Sequence, residues 1–187
     1  ESLKKEWNDL LAQSVPQVPF LRYEYLNAWW KHRGGGEWPE DARLNLVVGH
    51  EGGKVMGIAP CFSAIHQGSQ CLLLLGSIEI SDYLDVISKV DDRARFIHGL
   101  LYFVRSCPAA LGDVEALDFY NILEDSPTIP VFREYPGAAL EVLQHSPYIK
   151  LPGDWETYIC SIDKKQRHEI RRKMRRAAEA DIPAELY

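Results

Sequence analysis

The sequence predicts a mixed α/β fold of the α+β class, built on a largely antiparallel sheet with helices beside it. Two runs rich in aliphatic and β-branched residues flank Gly52-Gly53, which is typical of an antiparallel hairpin. Apolar residues recur at helical spacing both before and after this hairpin. The predicted order is therefore two helices, a meander of strands, a helix and then further strands.

The first two predicted helices lie before the hairpin. Residues 2–12 place apolar side chains on one stripe, with Ser2 as N-cap, and these side chains are Leu3, Trp7, Leu10 and Leu11. A second helix is predicted from about 22 to 32, where it buries Trp29 and Trp30. It ends at Gly34-Gly35-Gly36, because successive glycines break a helix.

The hairpin strands are predicted at 44–48 and 55–59. Pro60 follows directly, and because proline has no N–H to donate, it is expected at a sheet edge or a bulge. Further strands are predicted at 71–75, 116–120 and 147–152.

Three more helices are predicted in the second half of the chain. Residues 91–106 form the clearest helix, and one face of it carries Phe96, Ile97, Leu100, Leu101 and Val104. A short helix is predicted near 131–134. The last helix is predicted over 163–180, with Asp163 and Gln166 in a capping-box pattern. Pro183 ends it before a strand at 184–187.

Composition excludes several protein classes. The 187 residues are 46% hydrophobic and 26% charged, which excludes collagen-like, coiled-coil and wholly disordered chains. No apolar run approaches the roughly 20 residues of a membrane span. Four cysteines could form two disulfides, but free thiols are predicted, since a core of this size needs no disulfide cross-links. We therefore expect a cytoplasmic protein with four thiols, at Cys61, Cys71, Cys107 and Cys160.

Charge is concentrated in one segment. Lys164 to Arg176 holds eight basic residues and one acid, which leaves 13 basic and 26 acidic residues elsewhere. A helix of this kind suits a phosphate-bearing substrate, an anionic membrane surface or nucleic acid, or it is a solvated linker between domains. Nucleic acid is disfavoured, because the acidic remainder of the chain would repel it.

One polar cluster, Ser81-Asp82-Tyr83-Leu84-Asp85, could carry acid–base chemistry. If the segment is extended, the side chains of Ser81, Tyr83 and Asp85 point the same way. A carboxylate beside a tyrosine can orient an amine or a sugar hydroxyl, or take its proton. The alternative is a turn in which both aspartates accept from nearby backbone N–H groups.

The sequence holds no phosphate-binding glycine loop, no zinc-ligand pair and no G-x-S-x-G nucleophile motif. No metal site is therefore expected. The six histidines are isolated from one another, so each is predicted to be a surface or packed imidazole.

Four segments in order are similar to those of a known family. They are Pro19 to Trp30, Gly57-Ile58-Ala59-Pro60, Gly76 to Asp85, and the basic stretch Lys164 to Arg176. In this order and spacing the chain resembles the CelD-like (cellulose-biosynthesis-type) acyltransferases of the GNAT superfamily, over about residues 17–187.

The resemblance implies a tandem arrangement of two GNAT-like halves, of which this chain would be the first. It implies a GNAT-like domain over 1–160, and a basic linker helix with the start of a second domain over 161–187. The acyl donor would be acetyl-CoA or another acyl-CoA. Its usual Gln/Arg-x-x-Gly-x-Gly/Ala loop is absent, so the donor site is expected outside this chain, in a missing C-terminal domain.

The resemblance also implies an activity. The acyl group would pass to an amine or hydroxyl of a saccharide acceptor, as in cellulose or exopolysaccharide biosynthesis. Candidate catalytic residues are Asp82, Tyr83 and Asp85, and candidate substrate-binding residues are Ser81, Lys165, Arg167, Arg171 and Arg172. The alternative is a non-catalytic GNAT-like module that binds an anionic saccharide or a protein partner.

Overall fold

The computed structural model of the protein describes residues 3–180. The chain divides into two compact units, Glu1–Leu143 and Gln144–Tyr187. The expected Ser2 cap and the expected strand at 184–187 lie outside the described residues. The predicted domain boundary at residue 160 stays a prediction.

The first unit is built on a five-stranded sheet. Its strands are β1 (Arg43–Glu51), β2 (Lys54–His66), β3 (Ser69–Leu74), β4 (Ile87–Ser88) and β5 (Ala116–Leu117). They lie in the order β1-β2-β3-β5, and β4 pairs with β2. Every pair is antiparallel except β3 with β5. The predicted mixed α+β fold with a mostly antiparallel sheet is therefore confirmed.

Pro60 lies inside a central strand, so the expectation of an edge or a bulge is wrong. It belongs to β2, which pairs with β1 along one side and with β4 and β3 along the other. The Pro60 carbonyl accepts a hydrogen bond of 2.7 Å from the Leu75 N–H. The missing N–H of Pro60 therefore falls between the ends of β4 and β3, where the ladder does not need a donor.

The described part of the first unit contains four α-helices. They are α1 (Lys4–Leu11), α2 (Tyr23–Gly36), α3 (Val90–Ser106) and α4 (Thr128–Arg133). Within α2, regular helical geometry stops after His32, as predicted, because the next three residues, Arg33–Gly35, have positive φ. The predicted apolar face of α3 is buried.

Side chains from both faces of the sheet form the core. On one face, the ring of Phe62 in β2 meets Trp29 and Trp38 at centroid distances of 5.4 and 5.0 Å. Gly57 lies five residues earlier in the same strand, so it faces the opposite side. There it contacts the ring of Phe96 from α3. The sheet is thus covered on both faces.

Up to residue 180, the second unit contains two helices, α5 (Trp155–Ser161) and α6 (Lys164–Glu179). The sequence predicted α6 but not α5, and the strand predicted at 147–152 is wrong because that segment forms no ladder. The Asp163 carboxylate caps α6 by accepting from the N–H groups of Lys165 and Gln166. Among the described helices, none is long and apolar enough to cross a membrane.

Candidate functional site

The polar cluster lies on the β3–β4 loop (residues 75–86), which leaves the sheet where β3 ends. Its first half is fixed by three neighbours. Trp38 Nε1 donates to the Ser77 carbonyl at 2.8 Å, and the Ile78 N–H donates to a Glu37 carboxylate oxygen at 2.8 Å. Asn121 Nδ2 donates to the Ile78 carbonyl at 3.0 Å. The loop is therefore held to the segments that follow α2 and β5.

Ser81 anchors the middle of the loop rather than facing solvent. It is buried, and its Oγ lies 2.8 Å from the Tyr25 hydroxyl of α2. Its carbonyl accepts from Asn121 Nδ2 at 2.8 Å. The role in substrate binding predicted for Ser81 stays a prediction, and in this structure the hydroxyl bonds to Tyr25.

Asp82 and Tyr83 form the accessible part of the loop. Asp82 is exposed, and Tyr83 is half-buried. Tyr83 has φ 57, in the left-handed region, so the backbone changes direction there. The segment is not continuously extended, and the alternating orientation considered for Ser81, Tyr83 and Asp85 does not apply.

Asp85 lies at the far end of the loop in a sealed ion pair. Its side chain is 0% exposed, and its Oδ1 lies 3.0 Å from Arg93 Nη1 of α3, which is 1% exposed. The carboxylate also accepts from the hydroxyls of Ser126 and Thr128 and from the Val86 N–H. Burial raises the pKa of Asp85 above its ordinary value, while the Arg93 charge and these donors oppose the rise.

Besides Asp85, the Arg93 guanidinium bonds to other residues of the first unit. Its Nε donates to Ser88 Oγ at 2.8 Å, its Nη1 to Thr128 Oγ1 at 2.7 Å, and its Nη2 to the Val15 carbonyl at 2.7 Å. Because both charges are shielded from water, loss of either one would leave the other buried and unpaired. The catalytic role predicted for Asp85 stays a prediction, and the chain geometry favours Asp82 and Tyr83 for contact with a substrate.

The four basic candidates lie on α6, in the second unit. Arg171 forms an ion pair of 2.7 Å with Glu156, and Arg172 donates to Glu169 at 2.8 Å. Arg167 is half-buried, and Lys165 is exposed. Two of the four cations are therefore already paired within the unit.

A second polar cluster, which sequence reasoning missed, lies beside the loop. His66 Nε2 at the end of β2 lies 3.0 Å from the Tyr120 hydroxyl and 3.5 Å from an Asp118 carboxylate oxygen. The ring of Trp38, which holds the β3–β4 loop, packs edge-on against His66 at 5.7 Å. We call His66, Asp118 and Tyr120 the His66 cluster.

The sheet register explains both this cluster and its absence from the sequence prediction. His66 pairs with Ser69, and Cys71 pairs with Ala116, so β2, β3 and β5 bring these side chains to one face. Asp118 and Tyr120 follow β5 at alternate positions. That alternation was visible in the sequence, but the parallel pairing that places it near His66 was not.

An acyl-CoA donor needs a place for its phosphates, and helix N-termini are the usual one. Each described helix of eight residues or more already has a carboxylate in its N-cap or first turn: Glu6, Glu24, Asp91 with Asp92, and Asp163. Those carboxylates compete with phosphate for the positive helix ends. Among these helices, only the Asp163 carboxylate of α6 accepts hydrogen bonds from N-terminal N–H groups, whereas α1, α2 and α3 have no side-chain cap.

Comparisons with known proteins add no assignment. No protein-family model matches the chain, and neither a curated protein nor a solved structure matches it significantly. Within residues 3–180, no group of three or more His, Cys, Asp or Glu side chains could hold a metal ion.

Proposed function

We propose that this chain is the N-terminal portion of an acyl-CoA-dependent acyltransferase that acts on an amine or hydroxyl of a sugar or polysaccharide precursor. The order and spacing of its sequence segments, similar to those of CelD-like acyltransferases, suggest this reaction. The observation that carries the proposal is the accessible Asp82–Tyr83 pair on the β3–β4 loop. This loop is fixed by hydrogen bonds to both the N–H and the carbonyl of Ile78.

The chain's own residues would act on the acceptor. The Asp82 carboxylate accepts the proton of the acceptor's hydroxyl or ammonium group, and the Tyr83 phenol orients that group by a hydrogen bond. Preorganisation supports this assignment, because Trp38, Glu37 and Asn121 fix the backbone before any ligand arrives.

We expect the acyl donor to bind outside this chain, in another part of the enzyme. When bound, acetyl-CoA or another acyl-CoA would supply the acyl group. A donor site elsewhere is supported by the carboxylates in the first turn of α3 and at the N-cap of α6, whose charge disfavours phosphate there. The roles of Asp82 and Tyr83 toward the acceptor do not depend on where the donor lies.

The direct test is acceptor-dependent thiol release from acetyl-CoA by the natural polypeptide isolated from its source cells. Chito-oligosaccharides provide amine acceptors, and cello-oligosaccharides provide hydroxyl acceptors. The proposal predicts thiol release that requires an acceptor, with a matching acetyl mass gain on the saccharide. Saccharide binding without thiol release would contradict it and would support the non-catalytic binding module instead.

A further inference from the structure

We propose that Tyr120 and His66 form a proton relay, in which Tyr120 contacts a hydroxyl, amine or water nucleophile and His66 receives the proton through Tyr120. The inference rests on the proposed function only for its choice of a hydroxyl or amine acceptor. The relay residues lie apart from Asp82 in the sequence: His66 ends β2, and Tyr120 follows β5.

In the relay, the Tyr120 hydroxyl donates to His66 in the tautomer whose Nε2 carries no proton. His66 Nε2 lies 3.0 Å from this oxygen, and Gln67 Nε2 donates to it at 3.1 Å. A phenol has one proton to donate and two lone pairs with which to accept. With its proton directed to His66 and one lone pair taken by Gln67, one lone pair remains for the proton of a nucleophile.

Asp118 completes the arrangement. A carboxylate oxygen of Asp118 lies 3.5 Å from His66 Nε2, where it stabilises the imidazolium that forms when the proton arrives. The Trp38 ring packs against one edge of the imidazole, and the Cys71 thiol donates to the His66 carbonyl at 3.7 Å. His66 is therefore a positioning and proton-accepting residue that acts through Tyr120.

The His66 cluster differs from the Asp85–Arg93 pair in its access to solvent. The side chains of His66 and Asp118 are 17% and 35% exposed, whereas Asp85 and Arg93 are closed off. Partial burial and the nearby Asp118 charge raise the pKa of Tyr120, so the resting phenol keeps its proton.

The proposed step is the hydrolysis of an activated ester by water. The oxygen of water forms a bond to the ester carbonyl carbon while its proton passes to the Tyr120 oxygen. The Tyr120 proton passes to His66 Nε2, and the bond to the leaving phenolate breaks with the electron pair on the phenolate. The imidazolium then releases its proton to solvent.

The test uses 4-nitrophenyl acetate with the full chain, because this ester needs no coenzyme A. We expect Tyr120→Phe and His66→Ala each to lower the rate above background at least about tenfold. His98→Ala removes an exposed imidazole from α3 and should leave the rate unchanged. His66→Gln, compared by thermal unfolding, is the second variant if His66→Ala does not fold.

Imidazole rescue separates proton transfer from a structural role. Added imidazole should restore the rate of His66→Ala, but should give no more than the solution rate with the double variant His66→Ala/Tyr120→Phe. A wild-type rate equal to background, no loss in either single variant, or no rescue would overturn the relay. Thiol release from acetyl-CoA is measured separately, so failure of the proposed function and failure of the relay are distinguishable.

Discussion

The Asp85 carboxylate and the Arg93 guanidinium lie 3.0 Å apart with almost no exposure to solvent, and they connect the end of the β3–β4 loop to α3. Through Arg93 the pair also reaches Ser88 of β4 and Thr128 of α4. Since an unpaired charge in this position would have no water to solvate it, the pair acts as one structural unit.

Arg93→Met should therefore lower the free energy of unfolding by about 3–5 kcal/mol, because it leaves the Asp85 carboxylate buried without its partner. Urea denaturation measures the change. Arg105→Met is the matched control, since Arg105 is an exposed arginine on the same helix, and it should cost less than about 0.5 kcal/mol. Equal stability of the two variants would show that the pair does not hold the fold.

Gly57→Ala should destabilise the sheet. A Cβ at Gly57 would lie 2.3 Å from Cγ of the Phe96 ring, so α3 or the ring must shift, at a cost of about 1–3 kcal/mol. Gly99→Ala is the control on α3, where an added Cβ meets nothing within 4 Å. It should stabilise the protein by up to about 1 kcal/mol. Chemical denaturation showing the two variants equally stable would refute the close contact.

The elements with strong local signals were predictable from the sequence. The hairpin, α3 and the Asp163 cap each depend on residues near one another in the chain, and all three are present. Pro60 was misplaced because the gap between β3 and β4 depends on strand pairing, which local sequence does not show.

The same reason limits prediction of the candidate site. From the sequence, Asp82 and Asp85 are equally good candidates for a catalytic carboxylate. Only the fold places Arg93 against Asp85 and leaves Asp82 exposed. His66 and Tyr120 are 54 residues apart, and they meet only through the register of three strands. Buried charge pairs and clusters of this kind depend on tertiary contacts.

Acid should weaken the contact between α1 and α2. Hydrogen bonds lower the pKa of the Glu24 carboxyl from 4.5 to about 2. The donors, in order of their effect, are the Glu24 backbone N–H, Asn8 and Lys4. The depressed pKa means that this contribution to stability is present above about pH 4.5 and is lost as the pH falls towards 2. Urea midpoints across this range should fall more for the wild type than for Glu24→Gln. Parallel curves would contradict the assignment, and Glu6→Gln on α1 is the control.

On α6, Lys165 should contribute more than Arg172 to binding of an anionic saccharide. The Arg172 guanidinium already donates to Glu169, whereas the exposed Lys165 ammonium forms no ion pair within the described residues. With heparin as probe, Lys165→Gln should weaken binding by up to about fivefold, as expected for one exposed charge contact. Arg172→Gln should change it less. The opposite ranking in a titration calorimeter would contradict this assignment.

Acetyl transfer to a saccharide by the Asp82→Asn variant of the natural polypeptide tests whether Asp82 acts on the acceptor. Glu79→Gln is the matched control, because Glu79 is also an exposed carboxylate on the β3–β4 loop. Asp82→Asn should lower kcat/KM about 100-fold, whereas Glu79→Gln should leave it unchanged. An unchanged kcat/KM in Asp82→Asn, with transfer intact, would contradict that role of Asp82.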